Sequence, residues 1–173
     1  MDFIRRIAIL VFLLITTSAV SFSQSVPVKI DDPGFENGMA GWNLPPNYSI
    51  ASDVAHSGTH CLHVTNTDPT VYQVASVPVN AVPGQRHKFG VWVKASDVKG
   101  GDIGATICLE YSDSKGQYLG GIYPGGPMGT SDWTYVEGEA SVPDTAASIK
   151  LSLYLRKGTT GTAASFLELF NGD

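Results

Sequence analysis

The chain has 173 residues, with 16 acidic and 11 basic side chains and a formal net charge of −5. This length suits one domain with a sizeable core that needs no disulfide scaffold. The mildly acidic balance argues against nucleic acid or an anionic membrane as a partner, because proteins that bind those surfaces present clustered basic side chains.

The first 24 residues have the features of an export signal. Arg5 and Arg6 precede an apolar run over residues 7–15, and the small residues Ala19, Ser21 and Ser23 offer cleavage positions. This run is too short to cross a bilayer, which takes about 20 residues. We therefore predict a signal peptide over residues 1–24 and a single exported domain over residues 25–173. We expect it to be secreted or periplasmic, in a bacterium.

From residue 26 onward, apolar and polar residues alternate over short spans, which is the period of half-buried strands. In chain order, the predicted strands cover residues 26–30, 48–52, 61–66, 71–79, 87–95, 105–112, 133–141, 148–156 and 164–170. Turn residues such as Pro83-Gly84 and Lys115-Gly116 separate them. Almost no segment has a helical period. The pattern predicts an all-β fold, a two-sheet β-sandwich of the jelly-roll kind.

The longest irregular stretch of the chain covers residues 117–132 and is rich in glycine and proline. Long loops that are not disordered often carry function. Tyr118 and Tyr123 lie within this stretch, and they would suit a rim that closes over a ligand.

Three predicted strands each have one aliphatic face and one mixed face, because successive side chains point to opposite sides of a strand. If these strands lie in one sheet, their mixed faces together form a surface suited to sugars. There an aromatic ring stacks on the C–H face of a pyranose while charged groups bind its hydroxyls. The candidate ligand-binding residues are Trp92, Lys94, Glu110, Tyr154 and Arg156.

Several other aromatic residues remain open between binding and packing. Tyr72 and Gln73 could reach the same predicted sugar-binding surface as the candidate residues. Trp42 and Trp133 follow turns at the beginning of strands, which favours packing over binding.

Several segments, in their order and spacing, resemble the carbohydrate-binding modules of the family four, nine and twenty-two type. These modules share a galactose-binding-like jelly roll. The matching segments are Gly34-Phe35-Glu36 with Gly41-Trp42, His56-Ser57-Gly58, Pro83-Gly84-Gln85, residues 89–95, Ser131-Asp132-Trp133 and residues 149–155.

The resemblance implies polysaccharide binding on the face of one sheet or at the loop rim, together with a structural calcium ion. Carried over to this chain, the ion would bind the carboxylate of Glu36 and the backbone carbonyls of Gly34, His56 and Thr59. The last ligand in the family is an aspartate, and Ser165 stands at about that position here. This departure removes a formal charge from the predicted calcium site.

Other chemistry is less well supported. Cys61 and Cys108 could form one disulfide in an oxidising compartment or stay as separate thiols on neighbouring β-surfaces. His60 and His63 point to opposite faces of a strand, which disfavours zinc.

We predict an exported, non-catalytic polysaccharide-binding module. It could be a fragment of a larger enzyme, act alone, or associate with a glycoside hydrolase. The alternatives are a structural or adhesive β-sandwich that makes protein contacts at the cell envelope, and a jelly-roll polysaccharide lyase. The lyase would use His63, Tyr154 and Arg156, although their spacing does not bring His63 to the other two.

Overall fold

The computed structural model describes residues 24–167. Its strands are β1 (Val26–Pro27), β2 (Tyr48–Ala51), β3 (Cys61–Asn66), β4 (Val74–Pro78), β5 (Arg86–Lys99), β6 (Ala105–Ser112), β7 (Tyr118–Ile122), β8 (Gly129–Ser141), β9 (Ser148–Leu155) and β10 (Thr160–Leu167). Almost all of the predicted signal peptide, and the end of the predicted last strand, lie outside the described residues. Within residues 24–167 there is no helix long and apolar enough to span a membrane.

The strands form two sheets. In the first sheet, β2, β3, β10 and β5 are consecutive neighbours, and β8 pairs with the other edge of β5. The short β1 extends this sheet by pairing with the beginning of β5 in parallel. The second sheet has the order β4, β9, β6, β7. This arrangement confirms the predicted all-β two-sheet sandwich.

The core lies between the two sheets and follows the predicted alternation. From the second sheet, β6 and β9 bury Ile107, Leu109, Leu151 and Leu153 almost completely. From the first sheet, β3, β5 and β10 contribute Leu62, Val64, Val91, Val93 and Leu167. Burial of this aliphatic surface supplies the main driving force for folding.

A buried tyrosine also joins the sheets by hydrogen bonding. Tyr48 belongs to β2 of the first sheet, and its hydroxyl donates to the carbonyl of Leu153 at 3.0 Å. The same hydroxyl lies 3.2 Å from the carbonyl of Gln73. The contact fixes the segment before β4 against the edge of the second sheet.

The predicted strands match most of the observed ones, with one omission and several shifted boundaries. The segment predicted as irregular contains β7 and the beginning of β8. β7 was not predicted because it contains two consecutive glycines, Gly120 and Gly121, and glycine disfavours strands. β7 nevertheless pairs with β6 over four positions, from Leu109↔Ile122 to Ser112↔Tyr118.

The expectation that three mixed faces share one sheet is wrong. Trp92 and Lys94 lie on β5 of the first sheet, whereas Glu110 and Tyr154 lie on β6 and β9 of the second. Both mixed faces point outward from the sandwich. The five candidate residues therefore divide between two opposite surfaces.

The two cysteines do not form a disulfide. Cys61 lies on the outer side of β3 and Cys108 on the outer side of β6, since their neighbours Leu62 and Leu109 face the core. Both thiols are buried and free. The whole thickness of the sandwich separates them, which is too far for a bond that needs Cα atoms within about 7 Å.

Candidate functional site

The outer face of the second sheet brings together Glu110 and Tyr154. In the pairing of β6 with β9, Glu110 is opposite Lys150, and Thr106 is opposite Tyr154. These side chains share one surface because they alternate with the core residues of the same strands. Arg156 follows the end of β9 and is close enough to Tyr154 to influence its titration. We call this surface the tyrosine face, consisting of Tyr72, Glu110, Tyr118, Tyr123, Lys150, Tyr154 and Arg156.

Tyr72 provides an exposed aromatic ring on this face. It precedes β4, whose Val74 pairs with Tyr154. The two tyrosine rings meet edge-on with centroids 6.1 Å apart and an interplanar angle of 87°. Tyr154 is only 3% exposed, whereas Tyr72 is 47% exposed. Tyr154 therefore forms the floor, and Tyr72 offers the larger contact area to a ligand.

Glu110 is held in place by two neighbours. The hydroxyl of Tyr123 donates to its Oε1 at 2.8 Å, and Nζ of Lys150 lies 3.1 Å from its Oε2. The hydroxyls of Tyr118 and Tyr123 are 2.7 Å apart, which continues the network to the β7 edge. Tyr118 is 60% exposed. The carboxylate is thus held in place, while Tyr118 at the end of the network remains exposed to solvent.

The charges of the tyrosine face largely cancel. Glu110 pairs with Lys150, and Nε of Arg156 lies 3.9 Å from Oδ1 of Asp102. Burial raises the pKa of Tyr72 and of Tyr154, so both remain neutral phenols at neutral pH. The surface combines ring contacts with hydrogen-bonding groups and suits an uncharged, hydroxyl-rich ligand.

The floor of the tyrosine face also carries Cys108, which lies opposite Ser152. Burial raises the pKa of this thiol to about 12. The nucleophilic form of cysteine is the thiolate, and this one stays protonated at neutral pH. Cys108 is therefore a buried and unreactive side chain beneath this face.

Trp92 and Lys94 lie on the opposite side of the sandwich, on the outer face of the first sheet. The Trp92 ring stacks on His56, with centroids 4.4 Å apart and planes at 14°, and it also contacts Tyr135 at 5.1 Å. Nζ of Lys94 is 2.9 Å from Oδ1 of Asp132. The structure does not bring these two residues to the tyrosine face. Their predicted role in ligand binding stays a prediction.

Among the predicted calcium ligands, Glu36 bonds to protein donors. Its Oε1 accepts hydrogen bonds from the amides of Thr59 at 2.7 Å and His60 at 3.0 Å. Its Oε2 lies 2.5 Å from Oγ1 of Thr59 and 3.0 Å from Nδ1 of His60. These bonds, above all that from the Thr59 hydroxyl, lower the pKa of Glu36 to about 2. The carboxylate joins the turn after residue 33 to the turn before β3.

Calcium takes six to eight oxygen ligands, whereas both carboxylate oxygens of Glu36 already accept hydrogen bonds from Thr59 or His60. The calcium site stays a prediction. The ring of Phe166 lies against Gly34, 3.0 Å from where a side-chain carbon would stand. The His56 ring stacks on Trp92, and Ser165 is buried on the core side of β10. Residues 24–167 hold no group of three or more His, Cys, Asp or Glu side chains suited to a metal.

The three residues considered for a lyase are separated as well. His63 lies on β3 of the first sheet, paired with Ser49 and Ala164. Tyr154 lies on β9 of the second sheet, and Arg156 follows the end of that strand. The described structure therefore does not assemble this set into one catalytic site.

Residues 29–162 match the family described as carbohydrate binding domain. This match spans most of the chain. The chain belongs to this family of carbohydrate-binding modules. Among curated proteins, no sequence matches it.

Solved structures of similar fold include other carbohydrate-binding modules. Family 16 carbohydrate-binding module-2 is 18% identical, with a TM-score of 0.60 over 80% of this chain and 97% of that one. The family 22 and GH10 modules of Clostridium thermocellum endo-1,4-beta-D-xylanase 10B, complexed with xylohexaose, are 18% identical, with a TM-score of 0.56 over 75% of this chain and 25% of that one. The enzymatically active domain of bacteriophage CBA120 tailspike protein 4 is 13% identical, with a TM-score of 0.62 over 79% of this chain and 20% of that one. At these identities the similarity concerns the fold.

The candidate site of this carbohydrate-binding module includes Tyr72 and Lys150, which were not among the five candidate ligand-binding residues. Lys150 alternates with the core leucines of β9 and could have been found from that period. Tyr72 lies just outside β4, where strand alternation gives no direction. Only its ring contact with Tyr154 places it on the tyrosine face.

Proposed function

We propose that the module binds a neutral polysaccharide on the tyrosine face and that it is exported and non-catalytic. The observation that carries the proposal is the exposed Tyr72 ring standing beside the buried Tyr154, close to the paired Glu110 and Lys150. A sugar ring packs its C–H face on Tyr72, and its hydroxyls reach the carboxylate and the ammonium group. The nearly cancelled charge favours a neutral glycan over a polyanionic one.

The two exposed rings of this surface, Tyr72 and Tyr118, suit an internal segment of a glycan chain. Tyr72 lies beside β4 at one edge of the second sheet, and Tyr118 belongs to β7 at the other edge. Four strands spaced about 4.8 Å apart put these edges about 14 Å apart. Two exposed rings at that spacing contact a chain of several sugar units. Each ring adds only a modest free energy after the cost of ordering the chain.

The binding test is affinity electrophoresis of the module through gels that contain a soluble polysaccharide. The panel consists of xylan, mixed-linkage β-glucan, galactan and mannan; xylan is included because a similar structure is complexed with xylohexaose. We expect retardation by at least one polysaccharide and about tenfold weaker binding in Tyr72→Ala. Tyr72→Phe keeps the ring and retains binding.

Val82→Ala provides the control, because Val82 is an exposed apolar residue outside the tyrosine face. Unchanged retardation of Tyr72→Ala would show that the polysaccharide binds to another surface of the module. Absence of retardation throughout the panel would favour the adhesive alternative, in which the β-sandwich makes protein contacts. Release of unsaturated sugar ends, detected by ultraviolet absorbance, would contradict a non-catalytic role.

Export rests on the sequence of residues 1–24, which lie almost wholly outside the described structure. Expression of the full chain in a bacterial host, followed by N-terminal sequencing, tests it. We expect a processed protein that begins near residue 25 in the periplasm or medium. An unprocessed protein retained in the cytoplasm would contradict export. We also propose a glycoside hydrolase as a partner. Co-purification of such an enzyme with the module from the native host tests this.

A further inference from the structure

A cavity lies at the side of the sandwich, away from the tyrosine face. Its volume is about 450 Å³, within the range of small-molecule sites. Three segments of the chain line it, namely residues 29–32, 37–42 and 77–80. The last of these is the end of β4, which is the edge strand of the second sheet. The cavity is therefore built from the edge of the sandwich and the loops that cover it.

A tryptophan forms one wall of this cavity. The Trp42 ring packs against the buried Phe35 with centroids 5.4 Å apart. The residue is partly buried against the core and also lines the cavity. The next residue, Asn43, exchanges two backbone hydrogen bonds with Ser76 of β4, at 2.7 and 3.0 Å. These contacts fix the indole before a ligand arrives. A fixed aromatic ring is the usual platform for the C–H face of a sugar.

Polar side chains of both hydrogen-bonding types surround the same cavity. Lys29 supplies an ammonium group, Asp31 a carboxylate, and Asn37 and Asn80 amides. Among residues 24–167, none of these four side chains takes part in a hydrogen bond or ion pair. Asp32 differs, because its two carboxylate oxygens accept the amides of Glu36 at 3.0 Å and Asn37 at 2.7 Å. Asp32 shapes the turn, while the other four polar groups remain available to a ligand.

We propose that this cavity is a second sugar-binding site, which takes one pyranose unit at the end of a glycan chain. The Trp42 ring contacts the apolar face of the sugar, and Asp31, Asn37 and Asn80 bind its hydroxyls. Lys29 offsets one of the two negative charges of Asp31 and Asp32, so the site disfavours an anionic sugar. A cavity bounded by three segments accepts a terminal unit, whereas the tyrosine face lies open to internal ones.

The two sites are far enough apart to act independently. Tyr72 and Asn80 are separated by eight residues of extended chain around β4, or about 26 Å at the rise of a strand. The module would then hold an internal segment on one surface and a chain end on another. Two such contacts on an insoluble glycan raise the apparent affinity well above that of either alone.

The experiment is a titration of the ¹⁵N-labelled module with methyl glycosides of xylose, glucose, galactose and mannose, followed by NMR. We expect at least one glycoside to shift the indole N–H of Trp42 and the side-chain amides of Asn37 and Asn80 saturably. Asp31→Ala removes a charged hydrogen-bond partner and should weaken this binding about tenfold. Ala40→Trp, at an exposed position of the lining, should abolish it by filling the cavity.

The controls are Asp53→Ala and Ala147→Trp, the same substitutions at exposed positions outside the cavity. Both should bind like the wild type, and so should Tyr72→Ala. The proposal is overturned if no glycoside produces saturable shifts, if shifts occur only on the tyrosine face, or if both cavity variants bind normally. Loss of polysaccharide retardation in Tyr72→Ala, with normal glycoside binding, separates this site from the proposed function.

Discussion

The outer faces of the two sheets have similar sequence patterns but differ in how far their aromatic side chains are exposed. On the first sheet, the rings of Trp92, His56, Trp133 and Phe166 pack against one another. On the second sheet, Tyr72 and Tyr118 stand exposed beside a carboxylate that is held in place. Both faces alternate aromatic and polar residues. The difference lies in what covers them.

The turn before β3 covers the part of the first sheet that holds Trp92. Glu36 bonds to Thr59 and His60 and so anchors this turn, which also carries His56 onto Trp92. Gly58 permits the close approach, because its φ is +69° and a side chain there would meet the Glu36 carboxylate. Within residues 24–167, the Tyr72 ring stays 47% exposed, although Tyr154, Cys108 and Ser152 on the same face are buried. An aromatic residue on an outer strand face therefore signals a ligand only where the loops leave it open.

The sharpest test of this comparison is Trp92→Ala. We expect a loss of about 3 kcal/mol in the free energy of unfolding, because the substitution removes a ring packed between His56 and Tyr135. Polysaccharide binding per folded molecule should remain at the wild-type level. Denaturant unfolding and affinity electrophoresis measure the two effects.

Trp92→Phe serves as the milder variant if Trp92→Ala does not fold. A stable Trp92→Ala protein that no longer binds polysaccharide would assign binding to the first sheet. That result would restore the role predicted for Trp92 from the sequence.

The second test breaks the network on the tyrosine face. Glu110→Ala leaves Lys150 without its partner and removes the acceptor of the Tyr123 hydroxyl, so we expect about tenfold weaker polysaccharide binding. Stability should change little, since ion pairs open to solvent contribute at most about 1 kcal/mol. Glu137→Ala, on an exposed position of β8, is the matched control. Equal affinities of the two variants would exclude Glu110 from the site.

The third test concerns the turn that covers Trp92. The pKa of Glu36 lies at about 2 in the folded protein, against an ordinary value of 4.5. The ionised carboxylate therefore stabilises the fold fully above about pH 4.5, and this contribution disappears as pH falls towards 2. Glu36→Gln should lower the Tm at neutral pH, and the difference from the wild type should shrink on acidification. A difference that is independent of pH would contradict this role of the charge.

The same melting experiments test the calcium prediction. Because Glu36 already bonds to Thr59 and His60, we expect equal Tm values with added calcium and with a chelator. A higher Tm in calcium for the wild type, absent in Glu36→Gln, would show that the turn holds the ion instead.

The smallest effect is expected from reduction. Burial raises the pKa of Cys61 to about 11 and that of Cys108 to about 12, and the thiols lie on opposite faces. Reducing agent should leave the Tm unchanged. Alkylation followed by mass spectrometry should modify both thiols only after unfolding. A mass increase of two protons on reduction would reveal a disulfide and contradict the separation.

The sequence by itself determined the features that depend on local period and turn chemistry. Alternation placed Ile107, Leu109, Leu151 and Leu153 on the core side of β6 and β9, as observed. Segments such as Gly34-Phe35-Glu36 and Gly41-Trp42 indicated the family, which the match over residues 29–162 confirms. These signals are local because side-chain direction reverses at every residue of a strand.

Only the tertiary structure decided which faces meet. Whether Trp92 shares a surface with Tyr154 depends on which strands become neighbours, and the connections between the sheets set that order. The exposure of Tyr72 depends likewise on a ring contact beyond the end of β4. Alternation assigns each side chain to one of two sides of its own strand and carries no information about the other strands or the loops above them.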